Sequence, residues 1–280
     1  MNINSLCYLG LGFLSVILLL YVCYIKGIKR SLLLYLAMVG LGYMIEAIIY
    51  NFLGSYQYYP KLLKHDRIYD SNMGAIASNF LALPVTATYI ASFHRKWLWI
   101  AFFTGLFAVI EWVFIKLHIY KHNWWKIGYT SLGLPFYYLS AKFLIKKMVL
   151  PLKGVLHSLV LFLVVGAIQG TFHMIPIMLF SSRYYQLGWW GNPSKDTTAF
   201  AAVSYLCATL FYVIVAKIPY LPKWLKYVIT PVCMYAVTII LRKSGILHSQ
   251  VWWDPWYYII FSIIALWFTE SISRCLSKGL

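Results

Sequence analysis

Residues 70–125 read DSNMGAIASNFLALPVTATYIASFHRKWLWIAFFTGLFAVIEWVFIKLHIYKHNWW. The stretch opens at Asp70, runs through apolar sequence to a basic turn at 94–97, and ends after a second apolar run at the tryptophan pair 124–125. Each apolar run is long enough to cross a hydrocarbon layer of about 30 Å as a helix. The stretch therefore predicts two membrane-spanning helices joined by a basic turn.

The same order of features recurs in the second half of the chain. The paired landmarks are Asp70 and Asp196, Trp97 and Trp224, and Trp124 and Trp252, and their separation along the chain is nearly constant. A separation that stays so nearly constant predicts a tandem duplication of a four-helix unit. Because four spans begin and end on one side of the membrane, the two copies would be parallel repeats, an arrangement that transporters place around a central site. The alternative is that a stable unit was doubled and only its fold was kept.

Composition places the chain in a membrane. Hydrophobic residues make up 62% of its 280 residues and charged residues 11%, against roughly 25% charged in soluble domains. The apolar runs lack the alternation of a membrane β-barrel, so the spans are expected to be helices. The sequence thus predicts an all-α, polytopic transmembrane helical bundle of about nine spans in a 1+4+4 plan. The predicted spans lie near 5–25, 32–54, 73–93, 97–117, 128–146, 155–180, 198–216, 225–242 and 255–273.

These spans divide the chain into three predicted parts. They are an N-terminal membrane anchor helix with a basic loop over 1–31, a first four-helix repeat over 32–147 and a second repeat over 148–280. The first residues carry no Lys or Arg and no cleavage signature, so the anchor is expected to be retained. Loops on the C-terminal side are richer in Lys and Arg and hold no carboxylate. This asymmetry predicts a plasma-membrane protein with its C-terminus in the cytoplasm and its N-terminus outside.

The formal charge of +17 bears on the choice of partner. The basic residues are spread over loops on both faces and not gathered in one stripe with stacking aromatics, so no nucleic acid is expected. Basic residues beside helix ends, at 26–30 and 142–153, instead predict contacts with anionic headgroups of membrane lipid. The aromatic outer loops could also dock a protein partner. The five cysteines stand singly without CxxC spacing, so neither a disulfide framework nor a cofactor is expected.

An ionisable side chain inside an apolar run is costly and often marks a functional site. Glu46 lies in the second predicted span, with Gly42, Tyr43 and Tyr50 on the same helical face. The glycine would let another helix approach, and the two phenols could donate hydrogen bonds to the carboxyl group. Glu46 is therefore a candidate for binding substrate or a proton. The alternative is a carboxyl group held protonated by a structural hydrogen bond.

Glu111 is the second candidate of this kind. It lies in the fourth predicted span, with Thr104 and His118 two turns away on its face. At the repeat offset Thr238 takes its place, so the second copy would lose this acidic group. A third carboxylate, Glu270, has a basic residue four positions later and is expected to form an ordinary i,i+4 ion pair.

Gln169 and His173 share a face of the sixth predicted span, and Pro176 follows within a turn, where it should leave a backbone carbonyl without its helical partner. At the repeat offset His173 stands at the place of Glu46. A lone histidine in a helix is often structural, yet the pair with Gln169 makes both candidates. Under the predicted topology these residues and Glu111 fall in the outer half of the bilayer. The sequence therefore predicts an outward-facing polar pocket between the two repeats.

Two further motifs have structural explanations. Asp70 and Asp196 stand at predicted helix starts, where a side-chain oxygen can accept a bond from a free backbone N–H, so both are predicted helix caps. A catalytic aspartate is the alternative. His118 and His122 have the i,i+4 spacing of a metal-binding helix face, but no third ligand is nearby in sequence, so no metal site is expected.

Three functions remain open at this point. The first is an integral membrane protein that binds or translocates a small molecule or lipid, with Glu46, Glu111 and His173 lining the pocket. The second is a structural or accessory subunit with a dry interior. The third is an intramembrane lipid-modifying enzyme, which would need a nucleophile that the sequence does not identify. The chain has no phosphate-binding glycine loop, GxSxG elbow or HExxH motif, which argues against an ATPase, a serine hydrolase of that type and a zinc protease.

Short patterns in both halves resemble a family of uncharacterised multi-pass membrane proteins from Gram-positive, often spore-forming, bacteria. The residues that carry the resemblance are Tyr59, Pro60, Asp70, Ser71, Pro84, Glu111, Trp112, Trp124 and Trp125. It covers about 42–145 and, more faintly, 166–268, where the counterparts of Pro84 and Glu111 are missing. The resemblance implies a location in the cytoplasmic membrane of such a bacterium, and it implies no activity.

Overall fold

The computed structural model of the chain describes residues 2–279 and is 77% helical. Nine helical segments follow one another in the order that the apolar runs predict. They are α1 (Ile3–Lys26), α2 (Ile28–Phe52), α3 (Arg67–Ser92), α4 (Trp97–Lys116), α5 (Ile127–Met148), α6 (Gly154–Phe180), α7 (Pro193–Lys217), α8 (Lys223–Lys243) and α9 (Asp254–Lys278). The all-α prediction is confirmed, and the protein is a multi-span helical membrane protein.

Eight of these segments are long and apolar enough to cross a membrane, and α5 is the exception. It has 22 residues, which at about 1.5 Å per residue is enough for the hydrocarbon layer. Its C-terminal half, however, carries Lys142, Lys146 and Lys147. The predicted ninth span is therefore a helix of the right length that falls short in apolar character. It packs against α3 and α4.

The described residues form two compact units. The first consists of 2–151 with Gly279 and contains α1 to α5; the second is Leu152–Lys278 and contains α6 to α9. Within the first unit α1 is tied to the loops at its N-terminal end. The Tyr8 hydroxyl donates to the carbonyl oxygen of Ile119 over 2.7 Å. The predicted anchor helix thus packs against α2 and α3 of the first unit.

Each unit also contains a short antiparallel ribbon that the sequence did not predict. The first ribbon pairs β1 (Tyr56–Tyr58) with β2 (Tyr120–His122), and the second pairs β3 (Arg183–Tyr185) with β4 (Leu247–Ser249). Strands of three residues are too short to show an alternating pattern in sequence. In both units one strand follows the first helix of a four-helix set and its partner follows the third.

The predicted helix caps at Asp70 and Asp196 are wrong by one turn. Asp66 caps α3 and Asn192 caps α7, each accepting hydrogen bonds from two backbone N–H groups of the first turn. Asp70 and Asp196 lie inside that first turn and accept from the preceding loop instead. Asp70 receives the backbone N–H groups of residues 61–63. These aspartates therefore fix loops to helices, which a reading of helix starts alone could not reveal.

Prolines lie inside four of the described helices, and at Pro84 and Pro176 a tyrosine donates a hydrogen bond to the freed carbonyl. Pro84 cannot donate to the carbonyl of Phe80, and the Tyr35 hydroxyl donates to that oxygen over 2.7 Å. Pro176 leaves the carbonyl of Phe172 free in the same way, and Tyr257 donates to it over 2.7 Å. The prediction that Pro176 frees a carbonyl is consistent with this geometry. At these two positions the freed carbonyl therefore has a hydrogen-bond donor.

We expect Tyr35→Phe to lower the free energy of unfolding by about 1 kcal/mol, because it strips the Phe80 carbonyl of its donor. In a Pro84→Ala background the restored backbone N–H replaces that donor, so the same substitution should cost clearly less. Thermal unfolding in lipid nanodiscs, arranged as a double-mutant cycle, measures the difference. Tyr24→Phe, at an exposed ring, is the matched control. Equal costs of Tyr35→Phe in both backgrounds would contradict this account.

Candidate functional site

A cavity of about 200 Å³ lies inside the first unit. All five helices of the unit contribute to its wall, and so do both strands of the β1–β2 ribbon. Spaces between bundled helices are common ligand sites. Most of the wall is apolar. Its polar and aromatic groups include Asn79, Glu111, Tyr56, Tyr58, Tyr120 and Trp125.

Glu46 is buried against residues that line this cavity. Asn79 Nδ2 donates to Glu46 Oε1 through a short hydrogen bond, and the Tyr58 hydroxyl lies 3.5 Å from the same oxygen. Tyr56 hydrogen-bonds to the carboxyl group as well. The second oxygen, Oε2, is buried and has no hydrogen-bond partner within the described chain. The carboxyl group is therefore only half satisfied by the protein.

Two π-helical stretches bring Glu46 and Asn79 together. One, Ala47–Phe52, begins directly after Glu46, and the other, Ile76–Ala82, contains Asn79. A π-helical turn widens the helix and shifts the register of its side chains, and such turns often occur at functional sites. Gly42 lies at the contact between the two helices, where a Cβ would be 3.4 Å from the Asn79 carbonyl oxygen, an ordinary van der Waals distance. The helices meet at Gly42 as predicted, but an alanine side chain would fit at this distance, so the need for glycine stays a prediction.

Glu111 lies in the wall of the same cavity and pairs with the ribbon. Its Oε1 is 2.6 Å from Nε2 of His122 in β2, with Glu111 9% exposed. The sequence pointed to Thr104 and His118 as neighbours of this carboxyl group. Thr104 is buried with no partner for its hydroxyl in the described chain, and His118 is exposed just after α4 ends, with φ of 55°. The actual partner was missed because the ribbon that carries it was not predicted.

Three tyrosines of the ribbon form a packed cluster beside the two carboxyl groups. The ring centroids of Tyr58 and Tyr120 are 4.9 Å apart, and those of Tyr56 and Tyr120 are 5.4 Å apart. Burial raises the pKa of all three phenols well above the ordinary value, and the neighbouring carboxyl groups of Glu46 and Glu111 raise it further. The phenols therefore remain neutral hydrogen-bond donors at any physiological pH.

The phenols that the sequence assigned to Glu46 lie elsewhere. Tyr50 donates to Ser71 Oγ over 2.7 Å, so its predicted bond to Glu46 is wrong. Tyr43 is half-buried on α2, and the hydroxyl groups bonded to Glu46 are those of Tyr56 and Tyr58. The strand β1, which the sequence did not predict, therefore supplies the phenols that bond to Glu46.

His173 and Gln169 belong to the second unit, where they take part in other contacts. His173 Nε2 lies 3.3 Å from the Tyr185 hydroxyl, and its ring packs edge-on against Tyr258. Gln169 hydrogen-bonds to Tyr212 through its side chain, and its Nε2 has no partner in the described chain. Of the four main candidates, the structure therefore groups Glu46 with Glu111 around one cavity. The other two, Gln169 and His173, lie in the second unit.

The second unit holds a buried ion pair that sequence reasoning missed. Arg183 of β3 binds Asp254 through two hydrogen bonds, Nε to Oδ1 at 2.8 Å and Nη2 to Oδ2 at 2.9 Å. Its guanidinium lies over the Tyr258 ring, 3.4 Å from the centroid, and also donates to the Tyr185 hydroxyl. Asp254 starts α9 and is fully buried. Only the unpredicted strand β3 brings these residues together.

The remaining charged motifs are structural or exposed. Glu270 accepts a bond from the Tyr227 hydroxyl at 3.2 Å. Arg274 donates to the backbone carbonyl of Glu270, in place of the ion pair expected between their side chains. Among residues 2–279 no group of three His, Cys, Asp or Glu side chains could hold a metal ion.

The candidate site therefore combines two carboxyl groups, one amide and three neutral phenols around a small, mostly apolar cavity. Such a set can bind a polar ligand, and its carboxyl groups can take up or release protons. Among known proteins, no family model matches the chain, and neither a curated protein nor a solved structure gives a match.

Proposed function

We propose that this membrane protein binds or translocates a small molecule through the cavity of its first unit. The observation that carries the proposal is the state of Glu46. Its carboxyl group is buried among residues that line the cavity, yet Oε2 has no hydrogen-bond partner in the described chain. A buried, half-satisfied carboxyl group is costly unless a ligand or a proton completes it. A purely structural residue would not need this arrangement.

The ribbon end of the cavity is proposed to face the outside of the cell. This follows from the excess of Lys and Arg in the opposite loops, which favours their cytoplasmic placement. Glu111 and His122, 2.6 Å apart at this end, would then be the groups through which protons reach the cavity. The same charge bias supports a plasma-membrane location and contacts with anionic headgroups.

Matching contacts in the two units support a tandem duplication. The hydroxyl of Ser71 accepts the backbone N–H of Tyr58, and that of Thr197 accepts the backbone N–H of Tyr185. Along the chain, the offset from β1 to β3 equals the offset from β2 to β4. Under this proposal the second unit is the copy that lost the carboxyl groups of Glu46 and Glu111, whose counterparts are His173 and Thr238. It serves as the scaffold, and the binding function rests on the first unit.

A water-accessible cavity separates this proposal from the accessory-subunit alternative. In a variant with the five native cysteines replaced by alanine, we expect Thr130→Cys, in the cavity wall, to react with a membrane-impermeant methanethiosulfonate reagent added from outside. Thr230→Cys, at a fully buried position, should remain unmodified. Trp124→Cys, in an exposed loop, should react and serves as the positive control.

The possible outcomes of this labelling have distinct meanings. Labelling of Thr130→Cys from the cytoplasmic side alone would reverse the proposed orientation and keep the cavity. If Thr130→Cys is labelled from neither side while Trp124→Cys reacts, position 130 lies in a dry helix contact. This result would favour the accessory-subunit function. The enzyme alternative gains no support from the described bonds to Glu46 and Glu111, because none of them comes from a serine, threonine or cysteine side chain.

A further inference from the structure

We propose that the ligand of this cavity is a small organic cation that carries an ammonium group. The inference rests on the proposed function, and it names the chemical class of the ligand. Four features of the described residues carry it: the sign of the charge around the cavity, the aromatic wall, the size of the space, and a cation of the chain itself at the matching place in the second unit.

The charge around the cavity is opposite to that of the chain. The protein has 24 Lys and Arg and seven Asp and Glu, yet the cavity wall contains no Lys or Arg among the described residues. Glu111 lies in the wall, and Glu46 is bonded to wall residues. Carboxylates in an apolar surrounding attract a cation far more strongly than they would in water. An anionic ligand would find no Lys or Arg in the described wall.

The aromatic wall fits the same charge. Tyr56, Tyr58 and Tyr120 line the cavity, and Trp125 packs edge-on against Tyr56 with centroids 5.6 Å apart. Ring faces carry negative potential and hold ammonium groups, and proteins that recognise quaternary ammonium use such aromatic walls. Ring faces also cannot replace the hydration shell that a strongly hydrated inorganic cation would lose on binding. The wall therefore favours an organic cation over a metal ion.

The size of the cavity limits the ligand. A volume of about 200 Å³ lies below the range of roughly 300 to 1,000 Å³ for drug-sized ligands. A compact ammonium group with a short chain fits this space. The group could belong to a free amine or to a lipid headgroup, since Gly133 in the wall is itself exposed.

In the second unit a cation, the guanidinium of Arg183, lies beside Tyr185 of the β3–β4 ribbon. Arg183 is the first residue of β3, as Tyr56 is of β1. Its guanidinium lies over the Tyr258 ring and donates to Tyr185, which ends β3 as Tyr58 ends β1. In the second unit the chain thus supplies its own cation to one tyrosine of the ribbon, Tyr185, and to Tyr258 of α9. In the first unit the tyrosines and carboxyl groups are present, and the described chain places no Lys or Arg in the cavity wall.

Choline and its neutral carbon isostere 3,3-dimethyl-1-butanol test this inference with two ligands of one shape. In nanodiscs of phosphatidylglycerol, isothermal titration should give choline an affinity at least tenfold higher than the isostere. Glu46→Gln and Glu111→Gln should each weaken choline binding about tenfold, a change of about 1.4 kcal/mol, because each removes a carboxyl group whose ionised form attracts the cation. Binding of the isostere should hardly change.

A cavity-filling variant and its control locate the binding. Gly133→Phe places a ring in the cavity and should abolish choline binding. Gly105→Phe introduces the same ring on α4, at an exposed glycine that does not line the cavity, and should leave binding unchanged. Equal loss in both variants would overturn the location. In phosphatidylcholine nanodiscs, a weaker apparent affinity for choline would identify the lipid headgroup as the source, and an unchanged affinity a free amine.

The outcomes distinguish a failure of this inference from a failure of the proposed function. If the isostere, or the anion 3,3-dimethylbutanoate, binds in the cavity as tightly as choline, the ammonium inference fails and the binding function stands. If none of the three binds while Thr130→Cys is labelled, the inference fails again and the water-accessible cavity stands. If none binds and Thr130→Cys is unreactive, both are overturned.

Discussion

Replacing Arg183 by methionine is expected to lower the free energy of unfolding of the second unit by about 3 to 5 kcal/mol, the range found when one partner of a buried ion pair is removed. The reason is the state of Asp254, which is 0% exposed and relies on the guanidinium for two of its hydrogen bonds. Ser249 remains as a donor to Oδ2, but a single hydroxyl cannot neutralise a buried carboxylate. Thermal unfolding in nanodiscs gives the measurement.

A double variant separates the ion pair from the packing around it. Arg183→Met with Asp254→Leu removes both charges and should recover most of the lost stability, as apolar replacements of buried ion pairs often do. The first unit already has Tyr56 at the start of β1 and Ile127 at the start of α5, the matching places in its own fold, so this ribbon is compatible with a neutral pair. Arg67→Met, at an exposed arginine beside Tyr59, should change stability by less than about 0.5 kcal/mol. A double variant no more stable than Arg183→Met would contradict the prediction.

The helices could be predicted because the signal for a membrane span is long. Each span needs about 20 apolar residues, and runs of that length survive single interruptions such as Pro84 or Glu46. Only α5 departed from the pattern, since Lys142, Lys146 and Lys147 lie within its length. The ribbons could not be predicted, because their strands have three residues each. Their pairing is decided by tertiary packing.

The candidate site was predictable in part, because its two carboxyl groups lie inside long apolar runs. Glu46 and Glu111 stand out because a carboxyl group inside an apolar run is rare. Their partners are less visible: Asn79 reaches Glu46 through a π-helical shift in α3, and His122 reaches Glu111 from a strand. A helical wheel assumes regular turns, so it assigned Tyr50 to Glu46 and overlooked Asn79. Polar residues next to Pro84 were the available sign that α3 is irregular.

Asp70, in the first turn of α3, binds the loop that precedes the helix. Its carboxyl group accepts the backbone N–H groups of Lys61, Leu62 and Leu63 at 2.9, 2.7 and 2.8 Å. Lys61 has φ of 54°, a left-handed conformation that costs a non-glycine residue about 1 to 2 kcal/mol. The carboxylate therefore holds a strained loop against α3. This explains why an aspartate stands one turn beyond the true cap, Asp66.

Asp70→Ala is accordingly expected to lower the free energy of unfolding of the first unit by about 3 kcal/mol, since three backbone donors lose a charged acceptor. Asp70→Asn keeps one acceptor oxygen and should cost less. Asp196→Ala removes only two such bonds, to Gly188 and Trp190, and should also cost less. Lys61→Gly relieves the left-handed strain and should restore about 1 kcal/mol in the Asp70→Ala background. Thermal unfolding of the four variants in nanodiscs tests this order, and an Asp70→Ala protein as stable as the parent would show that the loop is held by other contacts.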